Sequence, residues 1–165
     1  MDQSIPNRLR ELLDGSDLYS FTAGGCHIFA AELQRYFSQV EKYQLAILVE
    51  ATNPRIGIHV VAQSDDLVVD ALGVRSLKEL ETWYSGLRGV NLILRPVSYS
   101  VLFETSIIKN GNEPKNAWGH DIHPGFVQEC RCKANEIIEQ GARRYEASLY
   151  RAGREITALR NDVTK

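Results

Sequence analysis

The sequence has little cysteine and little net charge. Three cysteines in 165 residues do not form a disulfide framework, and a small, odd number of them is typical of a reducing compartment. The 19 basic and 21 acidic residues leave a formal net charge of −2. Because no basic excess exists to neutralise phosphates, we expect no nucleic-acid partner.

Long apolar runs are also missing. None approaches the roughly 20 residues that a membrane-spanning helix requires, so we expect no membrane partner. The first residues, Met1 to Pro6, lack the basic and then apolar layout of a secretory signal. The sequence therefore predicts a cytoplasmic protein, although delivery by a route that leaves no recognisable mark stays open. A hydrophobic content of 44% with 24% charged residues is that of a globular protein.

Hydrophobic periodicity predicts an α+β fold, in which about four antiparallel strands pack against a helix that begins at Cys26. Another helix begins with the capping box Ser76-Leu77-Lys78-Glu79, in which the serine and glutamate side chains bind each other's backbone amides. Predicted strands cover 45–50, 56–62, 67–71 and 90–97; predicted helices cover 6–13, 26–40, 76–84 and 126–163; predicted loops cover 19–25 and 108–123.

The carboxyl-terminal part of the chain has the pattern of one long helix. We expect an α+β domain over residues 1–123 and a long helix over 124–165, either packed on the domain or projecting from it. From Ala142 to Val163 the apolar positions step by three and four, which resembles a coiled-coil seam of about three heptads. This stripe predicts packing against the domain or a homodimer formed through the helix.

Three residues form the candidate catalytic site. Cys26 stands at the start of a predicted helix, and His59 and Asp70 lie on two neighbouring predicted strands. A two-residue turn on 64–65, or a four-residue loop over 63–66, places His59 directly opposite Asp70. A turn on 65–66 makes the pair diagonal but leaves both side chains on one face. We expect His59 and Asp70 to face each other and to share a hydrogen bond of about 2.7–3.2 Å, an arrangement that only a turn of odd length or a bulge would break.

This combination is typical of a thiol nucleophile with its base and the group that orients the base. A nearby imidazolium and a helix amino terminus both lower the pKa of a thiol from its ordinary value of about 8.5. The carboxylate of Asp70 would fix the tautomer of His59 so that the other ring nitrogen faces the sulfur. Gly24 and Gly25 would let a substrate carbonyl approach, and the amide of Cys26 could donate to an oxyanion.

Structural explanations exist for each of these residues. Cysteine on the apolar face of a helix often only fills the core. His59 could be a core histidine with its hydrogen bonds satisfied, and Asp70 could cap a turn over 71–73.

A second group of potential metal ligands lies further along the chain. It comprises His120, His123, Cys130 and Cys132. Zinc sites usually show a Cys-x2–4-Cys spacing rather than Cys-x-Cys, so we predict neither a metal nor another cofactor. One of the two histidines could instead reach the active site.

The segment Gly25-Cys26-His27-Ile28-Phe29-Ala30 resembles the start of the catalytic helix in papain-like cysteine proteases. The spacing to His59 and Asp70 is most similar to the transglutaminase-like and arylamine N-acetyltransferase branch of that superfamily. The resemblance covers about residues 20–75. It implies a papain-like core with Cys26 as nucleophile, His59 as base and Asp70 as orienter. Ser20 stands in place of the family's oxyanion glutamine, and His27 in place of its usual tryptophan.

The expected function is thiol-dependent acyl transfer by a peptidase, amidase, deamidase or transglutaminase-like enzyme. Its substrate would be a peptide, a protein amide or an acyl thioester. Hydrolysis, deamidation and transamidation use the same residues and differ in which molecule attacks second. The alternative is a catalytically inert papain-like binding or assembly protein that associates with itself through the carboxyl-terminal helix.

Overall fold

A five-stranded antiparallel sheet forms the centre of the structure. The structure is a computed structural model that describes residues 12–37, 43–104, 115–116 and 118–162. The fold is α+β, as the sequence predicted. The strands are β1 (Gln44–Glu50), β2 (Gly57–Ser64), β3 (Leu67–Asp70), β4 (Gly73–Ser76) and β5 (Leu92–Pro96). They lie side by side in the order β4-β3-β2-β1-β5.

Five helices accompany the sheet in the described residues. They are α1 (Gly15–Ala23), α2 (Cys26–Phe37), α3 (Leu77–Arg88), α4 (Tyr99–Phe103) and α5 (Pro124–Asp162). The predicted helix over 6–13 falls almost wholly outside the described residues. Among the described residues, no helix combines the length and the apolar character that a bilayer crossing requires.

Helix α1 corrects the prediction of a loop over 19–25, which was wrong as far as Ala23. The side chain of Asp14 accepts a hydrogen bond from the amide of Asp17 at 2.9 Å, so the helix has a capped start. Phe21 is 1% exposed and belongs to the main apolar cluster. The two glycines that suggested a loop occupy only the connection between α1 and α2.

Strand β4 is a fifth strand that the sequence did not predict. It is four residues long and pairs with β3 at the edge of the sheet. Gly73 begins it with φ of +112°, a value that residues with a side chain rarely adopt. The strand is too short for a periodicity to be recognised, and it runs directly into the capping box of α3. That box is present as predicted, with Ser76 and Glu79 bonding each other's amides.

The sheet is covered on both faces. Successive residues of β1 point to opposite faces of the sheet. Those on one face pack in an apolar cluster with residues of α2, and those on the other face pack in a cluster with Leu80 and Tyr84 of α3. The first half of α5 packs beside α2 and contributes Cys130, Ala134, Ile137 and Ile138 to the same core as Phe29. The seam expected over 142–163 lies almost wholly outside the described side chains, so the homodimer stays a prediction.

Candidate active site

The turn between β2 and β3 sets the relation of His59 to Asp70. Ala62 pairs with Val69 and Ser64 with Leu67, so the turn falls on residues 65–66. The directly opposed register is therefore wrong, and the diagonal one is present. Asp65 accounts for the difference because it adopts the left-handed conformation, with φ of +51°, which aspartate tolerates better than most residues.

His59 and Asp70 are nevertheless hydrogen-bonded in the interior. The distance from His59 Nε2 to Asp70 Oδ2 is 2.8 Å, and the two residues are 0% and 3% exposed. A bulge places Ile58 as an extra residue on β2, between the pairs Leu48–His59 and Val49–Gly57. It lies outside the segment between His59 and Asp70, so it leaves their relation intact.

Asp70 is the centre of a small polar network. Its Oδ2 atom also accepts a hydrogen bond from the Arg75 guanidinium on β4. Its Oδ1 atom accepts from the amide of Leu72 at 2.8 Å, so Asp70 caps the turn as well as binding the imidazole. Burial alone would raise the pKa of this carboxyl. The hydrogen bond and positive charge of His59, with the charge of Arg75, outweigh burial and hold the pKa below its ordinary value.

The guanidinium of Arg75 is itself held in place. It lies 5.0 Å from the centroid of the Trp83 ring on α3, a distance typical of a cation–π contact. Sequence reasoning missed Arg75 because it missed β4. The one available signal was a basic residue five positions after the proposed orienting aspartate.

Tyr84 covers the His59 ring. The two rings stack with centroids 5.0 Å apart and planes inclined by 26°. Burial, followed by the negative charges of Asp70 and Cys26, raises the pKa of Tyr84. Its hydroxyl therefore stays protonated over the physiological range, and its ring shields one face of the imidazole from water.

Cys26 is the first residue of α2 and is 4% exposed. Burial opposes ionisation of its thiol and is the largest single influence on it. The positive charge of His59 and smaller contributions from His27 and His120 nevertheless hold the pKa of Cys26 well below its ordinary value. The helix amino terminus favours the thiolate further.

The influence of Cys26 on His59 is reciprocal. Burial lowers the pKa of His59, but the negative charge of Cys26, the hydrogen bonds to Asp70 and Cys26 and the charge of Asp70 outweigh it and raise the pKa to about 9. In the described part of the chain, the buried Nδ1 atom of His59 has no partner other than the Cys26 sulfur. The arrangement therefore favours a thiolate and an imidazolium, with the carboxylate bound to the other ring nitrogen.

Gly25 fixes the start of the cysteine helix. Its amide donates to the carbonyl of Ser20 at 2.6 Å. A Cβ atom on Gly25 would lie 2.9 Å from that oxygen and 3.4 Å from Cys130 Sγ, so no side chain fits. Gly24 has open space around the same position. Close packing of α1 on α2 thus explains Gly25, a reason that differs from the expected approach of a substrate.

Two further histidines lie beside the sulfur. His27 is 0% exposed and stacks on His120, with ring centroids 5.2 Å apart. Burial lowers the pKa of His120. The ring nitrogens of His27 have no hydrogen-bond partner among the residues described other than the Cys26 sulfur. The sulfur of Cys26 and one ring nitrogen from each histidine lie within 4.8 Å of one another.

Asn116 positions His120 in this cluster. Its Oδ1 atom accepts hydrogen bonds from the amides of Trp118 and His120, each at 3.0 Å. Its Nδ2 atom donates to the carbonyl of Leu102 at 2.9 Å. A buried asparagine thus shapes the turn that brings His120 back to α2. The sequence left open that His120 or His123 reaches this site, and His120 does. Neither Asn116 nor the pairing of His27 with His120 was predicted, since no local spacing relates them.

The ligand group considered from the sequence does not assemble. His123 and Cys132 are exposed, whereas Cys130 is buried in the core, where burial raises its pKa to about 11. Only His120 of the four joins a group with metal-binding geometry in the described ranges, and its partners are Cys26 and His27.

Comparison of the chain with protein-family models, with curated proteins and with solved structures finds no match.

Proposed function

We propose that the protein is a thiol-dependent acyl-transfer enzyme with a papain-like core, in which Cys26 is the nucleophile, His59 the base and Asp70 the residue that orients it. The observation that supports this most directly is the buried 2.8 Å bond from His59 Nε2 to Asp70 Oδ2. Because this bond uses Nε2, the Nδ1 atom of the same ring can exchange a proton with the Cys26 thiol, whose pKa lies well below its ordinary value.

In the first half-reaction the Cys26 thiolate attacks a carbonyl carbon of the substrate. A carbon–sulfur bond forms and the carbonyl π electrons move to oxygen. Amides at the start of α2, where helix geometry leaves N–H groups without intrahelical partners, are suited to stabilise that oxyanion. The His59 imidazolium then donates its proton to the leaving amine or thiol as that group's bond to carbon breaks. The product is a thioester on Cys26.

In the second half-reaction a water molecule or an amine resolves the thioester. Neutral His59 takes a proton from the incoming group as it attacks, and the Cys26 thiolate leaves. Water gives hydrolysis or deamidation, and an amine gives transamidation. The substrate class supported by this chemistry is a peptide, a protein side-chain amide or an acyl thioester.

Selective alkylation tests the proposal. At about pH 6.5, where an ordinary thiol is almost wholly protonated, we expect iodoacetamide to modify Cys26 at least about tenfold faster than the exposed Cys132, as followed by peptide mass spectrometry. The variant His59→Ala should slow alkylation of Cys26 by about tenfold or more, since one pKa unit corresponds to a factor of ten. The matched variant His123→Ala, at an exposed histidine, should leave the rate unchanged.

The opposite pattern supports the inert binding protein. Cys26 would then react no faster than Cys132, and Cys26→Ala would lower the free energy of unfolding by several kcal/mol, as expected when a side chain only packs the core.

A further inference from the structure

Beside the proposed triad lies a second chemical grouping that uses the same sulfur. Cys26 supplies a thiol, and His27 and His120 supply imidazole nitrogens, with the three ligand atoms all within 4.8 Å of one another. Thiolate sulfur and imidazole nitrogen are the ligands that Zn²⁺ binds most often in proteins. Three protein ligands with a fourth position left open form a complete zinc site of the kind that binds water or another small ligand.

The burial of His27 is an independent observation that points to a ligand. Its side chain is fully buried, yet within the described part of the chain its two ring nitrogens have no hydrogen-bond partner other than the Cys26 sulfur. Buried polar atoms normally have one, because leaving them unpaired loses their interaction with water without compensation. A metal ion between His27, Cys26 and His120 supplies a partner for one of the two His27 nitrogens.

We propose that Cys26, His27 and His120 bind one Zn²⁺ ion. In tetrahedral zinc sites the ligand atoms lie about 3.3–3.6 Å apart. Because the three atoms lie within 4.8 Å of one another, each pair needs to close by about 1.5 Å at most. His120 can supply this movement because it lies in the turn held by Asn116 rather than in a helix or strand. His27 and Cys26 are fixed by the first turn of α2.

Zinc binding also has a consequence for the proposed function, and this part rests on that function. A sulfur lone pair engaged with zinc is withheld from a carbonyl carbon, so the zinc-bound protein would be unable to form the thioester. Removal of zinc by a chelator would restore the nucleophile. The site would thus make acyl transfer respond reversibly to the available zinc.

Direct titration tests the site without requiring activity. The metal-free full chain is titrated with Zn²⁺ in competition with a chromophoric chelator, and with Co²⁺ to observe thiolate-to-cobalt charge-transfer absorption. We expect one ion per chain. The variants Cys26→Ser and His120→Ala should each weaken binding by at least about tenfold, because loss of a group that only orients a ligand already costs about 10–100-fold. Cys132→Ser and His123→Ala, matched changes at exposed positions, should bind as the unmodified chain does.

Either of two results overturns the proposal: no stoichiometric binding, or binding that Cys26→Ser leaves unchanged. His27→Asn is measured as well, and circular dichroism of the metal-free form establishes whether this buried variant folds. If His27→Asn does not fold, the test of the zinc site rests on two other variants. These are His120→Ala, at a partly exposed position, and the isosteric Cys26→Ser.

Alkylation with and without zinc separates this inference from the proposed function. We expect Zn²⁺ to protect Cys26 from iodoacetamide, a chelator to reverse the protection, and Cys132 to react equally in both states. Zinc binding together with a metal-free Cys26 that is no more reactive than Cys132 would support the metal site and contradict the enzyme. If Cys26 is reactive in the metal-free chain but zinc does not bind, the enzyme would be supported and the metal site contradicted.

Discussion

At the scale of single residues, His59 is held between two negative groups. The thiolate of Cys26 and the carboxylate of Asp70 both favour its protonated form, and they do so although the ring is fully buried. These two attractions outweigh the effect of burial, which alone would favour the neutral form of the ring. The charge of His59 consequently depends on its neighbours, which can be removed one at a time.

We expect the Cε1 proton of His59 to titrate in NMR spectra near pH 9, above the ordinary histidine value of about 6.5. Cys26→Ala removes the first of the two negative neighbours, so the pKa of His59 should fall. Cys132→Ala, at an exposed cysteine, should leave it unchanged. A His59 resonance that titrates at the ordinary value in the unmodified chain would contradict the ion pair.

The two glycines before Cys26 give a matched pair of variants. Gly25→Ala places a Cβ atom 2.9 Å from the carbonyl oxygen of Ser20, whereas Gly24→Ala meets nothing within 4 Å. Overpacking of this kind costs about 1–3 kcal/mol, so Gly25→Ala should lower the free energy of unfolding by about that amount. Urea denaturation that finds equal effects of the two changes would mean that α1 does not pack tightly on the start of α2.

The sequence predicted the residues of the candidate triad but few of their neighbours. Cys26, His59 and Asp70 could be chosen because their residue types, order and strand alternation are local information. His27 and His120 are separated by almost the whole domain, and only the turn built by Asn116 brings them together. Contacts of that range depend on tertiary packing, which periodicity does not record.

At the scale of elements, α3 shows how local chemistry fixes a boundary. Ser76 Oγ accepts from the amide of Glu79 at 3.2 Å, and Glu79 Oε2 accepts from the amide of Ser76 at 2.7 Å. Gly89 ends the helix in the left-handed conformation and donates to the carbonyl of Ser85. The start was readable in advance because the capping box depends on residues within one turn, whereas the predicted end at Tyr84 was four residues short of Arg88.

Ser76→Ala should therefore lower the free energy of unfolding by about 1 kcal/mol, the usual cost of losing a helix cap. The same substitution at Ser85, inside the helix, should be neutral or stabilising by a few tenths of a kcal/mol, because alanine is the better helix former. Urea midpoints of the two variants provide the comparison. If Ser76→Ala and Ser85→Ala had the same effect on the free energy of unfolding, a stabilising contribution of the capping box would be contradicted.

Elements were predicted less well where the sequence contained signals for two different local structures. The glycines at 24–25 suggested a loop, although the residues before them form α1 around the buried Phe21. The hairpin register depended on whether Asp65 would adopt a left-handed conformation, and composition alone did not decide it. The α+β class survived both errors because it depends on the number and type of elements rather than on their exact limits.

At the scale of the whole molecule, α5 is part of the core. Ile138 is fully buried and shares a cluster with Phe29 of α2 and Val69 of β3. The buried Glu32 of α2 also accepts a hydrogen bond from Arg131 at 2.8 Å. The described side chains of the long helix therefore link it to both the cysteine helix and the sheet.

Ile138→Ala should lower the free energy of unfolding by about 2–5 kcal/mol, as large-to-small changes in a core do. Glu139→Ala, at the next and exposed position, should change it by less than about 0.5 kcal/mol. Far-ultraviolet circular dichroism and tryptophan fluorescence should give the same midpoint for each variant, because α5 and the sheet unfold together. Separate midpoints would mean that α5 is an independent appendage.

The polar network across the sheet also bears on how a substrate would find the protein. Thiolate, imidazolium, carboxylate and guanidinium follow one another from Cys26 through His59 and Asp70 to Arg75 at the edge strand. Because neighbouring charges alternate in sign, their fields cancel a short distance away, and the whole chain carries a net charge of only −2. Long-range attraction, which guides charged ligands to many enzymes, is therefore weak here. Under the proposed function, encounter with a substrate should therefore depend little on ionic strength, and shape and hydrogen bonding after contact should decide which substrate binds.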